Sequence, residues 1–390
     1  MKIDIVLGTL FGDEGKGQTV NSLATKDSLV IRHNGGHQVG HTVVTNKMEH
    51  TFSQIGAGTF QGASTYISHF CTVYPKAFKR EYDYLAITLL FKQPIIRNLL
   101  LYNYFVDPFA MVTTPYDVAF NKILEGIYGH GTTGTGFGAT IERNTKFVNL
   151  YAQDLLCDFV YQNKIKQVKE FYQRSANDLD TDSKLRYYDL IDEEWEEWEE
   201  ALKFYKTHVR IERPHLCGKE HIIFEGGQGI MLDQKIGFFP NVTRSNTTAL
   251  NACELINREI KPRYNGSITT TVHYVCRAYM TRHGEGPFSE ETLELKNNET
   301  ETNKLNDWQG ELRVAPMNFE LLKHAITFNN CIMNKYTQDF YSTLHVTCFD
   351  QLPDTVDKEM LKLKFGCMPT NSRYFKYARD WNCEYKCGRG

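Results

Sequence analysis

A glycine-rich turn that contains two acids and a lysine follows directly on a short apolar stretch near the start of the chain. The turn over residues 8–19 reads Gly-Thr-Leu-Phe-Gly-Asp-Glu-Gly-Lys-Gly-Gln-Thr. Because glycine lacks a Cβ, such a turn lets backbone N–H groups approach a phosphate closely. The usual phosphate loop places four residues between its first glycine and the Gly-Lys pair, whereas six separate Gly8 from Gly15 here.

Asp13 and Glu14 are unusual inside a turn of this kind. A carboxylate repels a phosphate unless it binds a metal ion or accepts a proton from a reacting group. The sequence therefore predicts a nucleotide phosphate site in which Asp13 takes part in the chemistry.

The composition of the 390 residues is that of an ordinary globular protein, with 41% hydrophobic residues and a net charge of -3. This charge argues against a surface that binds nucleic acid, and we find no stretch of the ~18 apolar residues that a membrane span needs. Ten cysteines without a Cys-x-x-Cys pair, and no signal peptide before the first apolar stretch, predict reduced thiols in a cytoplasmic protein. Nothing marks a domain boundary, so we expect residues 1–390 to form a single large domain.

Strand-like apolar runs alternate along the chain with segments of helical periodicity. The runs fall at 3–7, 28–32, 65–69, 221–225, 268–276 and 343–349. This alternation is typical of an α/β fold with a large, mainly parallel sheet flanked by helices. Residues 151–210 are charged and rich in tyrosine, which predicts a helical insertion in which Trp195 and Trp198 share one face of a helix.

Four more clusters combine glycines with polar side chains that suit a ligand. Residues 32–42 contain three histidines among glycines, which leaves a metal site, a catalytic loop and a plain turn open. Residues 129–138 offer N–H and hydroxyl donors for a phosphate or a carboxylate, although a flexible loop fits equally. Residues 224–229 and 241–248 add a glutamine suited to a purine edge and a Thr-Arg pair suited to a second anion, and 279–288 form the last cluster.

The order of these clusters resembles the adenylosuccinate synthetase family. The motifs lie at 12–17 (Gly-Asp-Glu-Gly-Lys-Gly), 40–42 (Gly-His-Thr), 131–134 (Gly-Thr-Thr-Gly), 224–229 (Phe-Glu-Gly-x-Gln-Gly), 245–248 (Ser-Asn-Thr-Thr) and 281–288 (Thr-Arg-x-Gly-x-Gly-Pro-Phe). That family joins the amine of L-aspartate to C6 of a purine nucleoside monophosphate, after it phosphorylates O6 with a nucleoside triphosphate and Mg2+. The resemblance implies a large, mainly parallel sheet with helices on both faces, and a homodimer.

The resemblance also implies roles for individual residues. Asp13 would remove the N1 proton and, with the carbonyl of Gly40, bind Mg2+, while His41 would act as general acid on the migrating phosphoryl group. The residues implied for the nucleoside triphosphate are Gly12, Glu14, Gly15, Lys16, Gly17, Gly40, Thr42, Asp350 and Gly388. The residues implied for the monophosphate and aspartate are Asp13, Gln38, Thr132, Thr133, Arg143, Gln228, Leu232, Thr243, His283 and Arg313. Within this set, Arg143 would reach the monophosphate across the dimer, and Thr133 and Arg313 would hold aspartate.

Two departures from the family pattern concern the substrate. The arginine-rich run that grips aspartate and the ribose is replaced by residues 307–314, where only Arg313 remains, and His283 stands where the common enzyme has valine. Both changes fall at the 2'-hydroxyl, and residues 310–319 are similar to phage enzymes that make 2-aminoadenylosuccinate from deoxyguanylate. The resemblance therefore predicts dGMP as the preferred substrate, with an ordinary synthetase that uses IMP and GTP as the alternative. Asp13 counts against the phage branch, since some phage members have serine there.

The residues expected near the base of the triphosphate also differ from the family. Its Thr-Lys-x-Asp pattern reads Thr-Cys-Phe-Asp at 347–350, which favours ATP or dATP besides GTP as phosphoryl donor. A GTP-binding switch is a competing interpretation, but Gly17 follows Lys16 where a switch needs Ser or Thr for Mg2+. A catalytically inactive relative is another, and it conflicts with the retention of Asp13, Lys16 and His41.

Overall fold

The computed structural model describes most of the chain. The described residues are 1–46, 48–92, 103–129, 132–296, 305–306, 310–337, 339–370, 374–376 and 384–386. Gly131, residues 307–309 and Gly388, which the sequence analysis singled out, lie outside these ranges.

The described ranges contain strands and helices in alternation. The strands are β1 (Lys2–Gly8), β2 (Ser28–Arg32), β3 (His41–Val44), β4 (Glu49–Phe52), β5 (Ser64–Ile67), β6 (Thr72–Val73), β7 (Tyr104–Val106), β8 (Met111–Val112), β9 (Arg210–Ile211), β10 (His221–Gly229), β11 (Thr269–Arg277), β12 (Tyr279–His283), β13 (Leu305–Asn306), β14 (Gly310–Pro316), β15 (Tyr341–Thr347), β16 (Tyr374–Lys376) and β17 (Glu384–Lys386). The helices are α1 (Lys16–Leu23), α2 (Pro75–Lys92), α3 (Pro115–Tyr128), α4 (Phe137–Thr145), α5 (Asp158–Ser175), α6 (Thr181–Trp195), α7 (Trp198–His208), α8 (Leu250–Leu255), α9 (Phe319–Tyr336) and α10 (Lys358–Gly366). None of the helices in the described ranges combines the length and apolar character that a membrane crossing requires.

An eight-stranded sheet forms the centre of the fold, with the order β15-β11-β1-β10-β2-β5-β7-β9. Every neighbouring pair in it runs parallel. All six strands predicted from the apolar runs belong to this sheet, which confirms the predicted fold class. The prediction lacks β7 and β9, because strands of three and two residues are too short to show a period.

The strands alternate their side chains between two hydrophobic cores, one on each face of the sheet. In β1, Ile3, Ile5 and Leu7 belong to one core and Val6 belongs to the other. Residues of α8 and α9 close the Ile3 core, and residues of α2, α3, α5, α6 and α7 close the Val6 core. Because both faces are covered, a ligand can reach the sheet only at the ends of its strands.

Residues 151–210 contribute α5, α6 and α7 to the Val6 core. The prediction that Trp195 and Trp198 share a face of one helix is wrong. Helix α6 ends at Trp195 and α7 begins at Trp198, because Glu197 between them takes a left-handed conformation with a φ of 63°. Trp198 is fully buried and donates a 2.8 Å hydrogen bond to the hydroxyl of Tyr161. The segment is thus an integral part of one core.

A buried carboxylate connects four neighbouring strands. The carboxylate of Asp4 on β1 lies 2.8 Å from Nε2 of His221 on β10 and 3.1 Å from Nε2 of His273 on β11. Nδ1 of His273 is 2.9 Å from Nε2 of His345 on β15, and Nζ of Lys2 lies 2.7 Å from the Asp4 carboxylate. Burial by itself would raise the pKa of Asp4, but these imidazoles and Lys2 hold it well below its ordinary value.

Replacing Asp4 with asparagine should destabilise the fold in a pH-dependent way. Because the pKa of the carboxyl is lower in the folded chain than in the unfolded one, its stabilisation is complete above about pH 5 and is lost as the pH falls. We expect Asp4→Asn to lower the free energy of unfolding by about 2 kcal/mol at pH 7 and by less at pH 3. Urea unfolding at the two pH values measures the difference, and an equal loss at both would contradict it. As a control, Lys2→Met removes a half-exposed partner and should cost less than about 0.5 kcal/mol.

Candidate active site

The carboxyl ends of β1, β2, β10 and β11 border a cleft with a volume of about 1200 Å³. The loops that follow these strands line it, together with residues from the 132–146 and 239–244 regions. The predicted site residues that line this cleft are Gly12, Asp13, Glu14, Gly15, Lys16, Gly17, Gln38, Gly40, His41, Thr42, Thr132, Thr133, Gln228, Leu232, Thr243 and His283. The fold therefore gathers most of the candidate residues at one place, although they come from distant parts of the chain.

The glycine-rich loop after β1 turns sharply before it enters α1. Gly12, Asp13 and Gly15 have φ angles of 98°, 55° and 97°. Two of these three positions are glycine, the residue that adopts positive φ without a steric cost. The loop leads straight into the first turn of α1, whose N–H groups have no acceptor within the helix and can bind an anion.

The carboxylate of Glu14 lies inside this loop and holds Lys16. It accepts a 2.6 Å hydrogen bond from the main-chain N–H of Leu10 and one of 3.1 Å from Nζ of Lys16. Glu14 and Lys16 are each only 3% exposed. Because water reaches neither charge, each is compensated by the other. A Cβ at Gly8 would come within 1.9 Å of Oε2 of Glu14, so the loop can close in this way only over glycine.

The Asp13 carboxylate is ionised at neutral pH and faces the cleft. Its Oδ2 lies 3.1 Å from Nε2 of His283 on β12. Burial by itself would raise the pKa of Asp13, but the His283 ring and the charges of Arg277 and Lys16 lower it below its ordinary value. An ionised carboxylate beside a phosphate loop can accept a proton or bind a divalent cation.

His41 is fixed by a second carboxylate. Its Nδ1 lies 2.5 Å from Oε1 of Glu225 on β10, and its Nε2 lies 3.1 Å from the main-chain oxygen of Gly227. Burial lowers the pKa of His41, and the Glu225 carboxylate opposes that shift. Burial would likewise raise the pKa of Glu225, but Arg32 and His41 keep it below its ordinary value. The pair holds the imidazole in one orientation, with Nε2 directed at the main-chain oxygen of Gly227.

Two glutamine side chains present unused hydrogen-bonding groups on the wall of the cleft. Neither amide atom of Gln38 nor Oε1 of Gln228 has a hydrogen-bond partner among the described residues, although all three atoms are buried. An ideal Cβ on Gly35 would lie 3.4 Å from Oε1 of Gln228, so the backbone passes directly beside that amide. Buried amides that lack partners are costly, and a ligand that pairs with them removes that cost.

The donor groups in the cleft suit Mg2+. Within the described ranges, no three side chains of His, Cys, Asp or Glu come together in a way that could hold a metal ion. The Asp13 carboxylate and the carbonyl of Gly40, however, belong to the lining of the same cleft. Mg2+ prefers oxygen ligands and is often held by one or two carboxylates together with water and substrate phosphates. These two groups fit that pattern.

Arg143 does not line the cleft. Its guanidinium is fully buried, donates to the Asp117 carboxylate at 2.8 Å and 3.1 Å, and also donates to the main-chain oxygens of Val112 and Val148. Helix α4 directs this side chain to the start of α3, where it supports the core. The prediction that Arg143 contacts the monophosphate therefore does not agree with this structure.

Arg313 and Asp350 are also absent from the lining of the cleft. Arg313 donates a 3.1 Å hydrogen bond from Nη2 to the main-chain oxygen of Gly286, and its guanidinium lies over the ring of Phe288. Its Nε is buried and has no hydrogen-bond partner among the described residues. Asp350 is an exposed residue of the short turn after β15.

Glu225 and Arg277 contact the two catalytic candidates, yet sequence reasoning gave neither of them a role. Arg277 at the end of β11 donates a hydrogen bond from Nε to the main-chain oxygen of Asp13. A signal was present for Glu225, because an acid directly after the apolar residues of a buried strand needs a charged partner. Arg277 likewise follows the apolar run of a buried strand, but its contact with the main-chain oxygen of Asp13 depends on the fold and has no signal in the sequence.

Substitution of Gly8 tests the closure of the loop over Glu14. In Gly8→Ala, the new methyl group collides with the Glu14 carboxylate and should displace it from Leu10 and Lys16. We expect binding of a Mg2+–nucleoside triphosphate to weaken by about tenfold or more, as measured by calorimetry with ATP and with GTP. Gly126→Ala is the matched control, because its Cβ would meet nothing within 4 Å. Equal affinity in the two variants would contradict this account of the loop.

Comparison with known proteins agrees with this geometry. The family model described as adenylosuccinate synthetase matches residues 5–330. The adenylosuccinate synthetase of Borrelia duttonii is 31% identical over 294 residues, which cover 74% of this chain and 64% of that protein. The enzyme of Parabacteroides distasonis is 30% identical over 303 residues, which cover 75% of this chain and 66% of that protein. The alignments therefore span slightly less than two thirds of these relatives.

Two solved structures share the fold. The fully ligated adenylosuccinate synthetase of Plasmodium falciparum has a TM-score of 0.63 at 17% identity, over 90% of this chain and 78% of that one. The succinoaminodeoxyadenylate synthetase of cyanophage S-2L, bound to dGMP and to dATP as an energy donor, has a TM-score of 0.63 at 14% identity, over 100% of this chain and 96% of that one. The family match over residues 5–330, with the phosphate loop and the cleft that it borders, establishes that this chain belongs to the adenylosuccinate synthetase family.

Proposed function

We propose that this chain is a ligase that joins the amine of L-aspartate to C6 of a purine nucleoside monophosphate, at the expense of a nucleoside triphosphate. The observation that carries the proposal is the ionised Asp13 carboxylate in the phosphate loop, at the same cleft as His41. The same cleft contains the Gln38 amide and Oε1 of Gln228, which have no hydrogen-bond partner in the described part of the chain. Family membership supports the proposal. A base beside a phosphate site is what activation of a purine 6-oxo group requires, since N1–H must lose its proton as O6 attacks.

The first step transfers the γ-phosphoryl group to the purine. The N1 proton passes to the Asp13 carboxylate, O6 attacks the γ-phosphorus, and the bond to the β-phosphate oxygen breaks. Lys16 and the N–H groups at the start of α1 stabilise the charge on the transferred group. Nε2 of His41, oriented by Glu225, donates a hydrogen bond to that group in place of its contact with the Gly227 oxygen. Asp13 and the Gly40 carbonyl would hold Mg2+, which would neutralise part of the phosphate charge.

The second step replaces the phosphorylated oxygen. The amine of aspartate attacks C6, the bond between C6 and the phosphorylated oxygen breaks, and inorganic phosphate leaves as the amine loses a proton. For the monophosphate we propose the hydroxyls of Thr132, Thr133 and Thr243, and for the purine base the amide of Gln228, since all four residues line the cleft. For aspartate we propose Thr133 and the unpartnered Nε of Arg313, provided that the turn at Gly286 moves toward the cleft.

We further propose dGMP as the preferred monophosphate. His283 supports this choice, because its ring occupies the cleft beside Asp13 at the position where the family places a smaller side chain near the ribose 2' carbon. The fold neighbour from cyanophage S-2L, which binds dGMP and dATP, is in line with it. IMP with GTP is the alternative, and Asp13 itself favours it. The exposed position of Asp350 and the loss of the neighbouring lysine favour ATP or dATP as phosphoryl donor. A homodimer remains part of the proposal.

Asp13→Asn should abolish turnover and leave binding intact. Asparagine has the same size and tolerates a positive φ, so the loop should keep its shape while the base is lost. We expect phosphate release that depends on triphosphate, dGMP and aspartate together to fall at least ~10²-fold. Calorimetry should show dGMP binding within about threefold of the unsubstituted chain. Asp27→Asn, at an exposed position, is the control, and a near-normal rate in Asp13→Asn would overturn the assignment of the base.

The choice of sugar should depend on His283. With aspartate and ATP, we expect kcat/KM for dGMP to exceed that for GMP by about tenfold or more, and His283→Val to bring the two values close together by opening space for a 2'-hydroxyl. Coupled phosphate release with dGMP, GMP and IMP measures these ratios. If IMP alone is turned over, dGMP is not the substrate, and the ordinary synthetase activity stands.

A further inference from the structure

Asp13 has an unusual backbone conformation for a catalytic side chain. Its φ of 55° lies in the left-handed region, which residues other than glycine seldom adopt. Aspartate tolerates this conformation better than most residues, but it is still strained and persists when the surroundings hold it. The groups that enforce it here must therefore be found in the structure.

Two donors from the sheet hold consecutive carbonyls of the loop. Arg277 donates from Nε to the main-chain oxygen of Asp13, and Thr347 donates from Oγ1 to the main-chain oxygen of Glu14 at 2.9 Å. Arg277 is the last residue of β11 and Thr347 is the last residue of β15. The two residues are opposite each other in the register of these parallel strands. Two residues that lie opposite each other at the ends of β11 and β15 therefore hold the loop.

The donors themselves are well anchored. Arg277 also donates from Nη1 to the hydroxyl of Tyr279 at 3.0 Å, and its guanidinium lies 5.6 Å from the centre of that ring. The hydroxyl of Tyr279 donates in turn to the side chain of Gln351. Thr347 is buried, and its methyl group would lie 3.1 Å from a Cβ at Gly15, so it packs closely under the loop.

We propose that Arg277 and Thr347 form a two-point clamp that sets the peptide planes on either side of Glu14 and thereby positions the Asp13 carboxylate. Both are positioning residues, since neither acts on the reacting atoms in this scheme. The inference rests on the proposed function of Asp13 as base. The contact with the Asp13 oxygen fixes the peptide plane that follows Asp13, and the contact with the Glu14 oxygen fixes the next plane. Together they set the backbone of Glu14 and hold the carbonyl side of Asp13. Without the clamp, the peptide plane that follows Asp13 can rotate, and the carboxylate then leaves the place where the N1 proton arrives.

Thr347→Val is the sharpest test, because it removes only the hydroxyl and keeps the branched shape. We expect kcat to fall by about 10- to 100-fold while KM for the monophosphate and for aspartate changes less than about threefold, since a small misplacement of a catalytic group affects the chemical step most. Thr347→Ser restores the donor and should return kcat to within about threefold of the unsubstituted chain. Thr270→Val, a buried threonine near the opposite end of β11, is the matched control and should leave kcat unchanged. Full kcat in Thr347→Val, or no recovery in Thr347→Ser, would overturn the clamp.

Hydrogen exchange of the loop separates this inference from the proposed function. The main-chain amides of residues 10–17 should exchange faster in Thr347→Val than in the unsubstituted chain, and at the unsubstituted rate in Thr347→Ser. Arg277→Lys keeps the charge but loses the fixed Nε–H, and should give the same increase. If the unsubstituted chain shows no aspartate-dependent phosphate release, the proposed ligase activity fails, and exchange still decides whether the clamp exists. Unchanged exchange in both Thr347→Val and Arg277→Lys would show that the loop keeps its shape without it.

Discussion

The position of β1 between β10 and β11 determines which groups can meet at the cleft. In the parallel register, Gly8 lies opposite Gly229 on one side and opposite Val275 on the other, so the three chains leave the sheet at the same level. The phosphate loop, Gln228 and Arg277 therefore converge although no local sequence pattern relates them. Helices cover both faces of this sheet, so its strand ends are the places where polar groups can be both rigidly held and open to a ligand.

This convergence brings several charges out of water, and the structure pairs them closely. Buried Glu14 lies against buried Lys16 and buried Glu225 against buried His41, whereas the side chains of His283 and Asp13, which lie against each other, are 13% and 25% exposed. The attraction within such buried pairs roughly offsets the loss of hydration, so they add little net stability. Removal of one partner, however, leaves a buried charge uncompensated and is costly. Their main effect is therefore on orientation, because each pair allows its side chains one arrangement.

Apolar periodicity was sufficient to predict the central strands, and the glycine clusters were sufficient to predict which loops line the cleft. The failures have a common cause. Arg143 follows a glycine-rich cluster just as a ligand-binding arginine would, but helix α4 turns its side chain into the core toward Asp117. Arg277 contacts Asp13 only through the pairing of distant strands. Spacing along the chain does not specify the direction of a side chain or the register of a sheet. The roles of the individual cleft residues accordingly stay predictions.

The short strand β12 connects Asp13 to the loops that border the cleft. Arg282 on this strand is buried, which lowers its pKa to about 10, and it donates to the main-chain oxygens of Asn241, Glu285 and Pro287. It therefore ties the 238–242 loop to the turn after β12. His283, the next residue, faces the Asp13 carboxylate. The same short strand therefore contacts both loops and the side chain of Asp13. In the proposed mechanism, residue 283 would therefore influence both substrate selection and proton transfer.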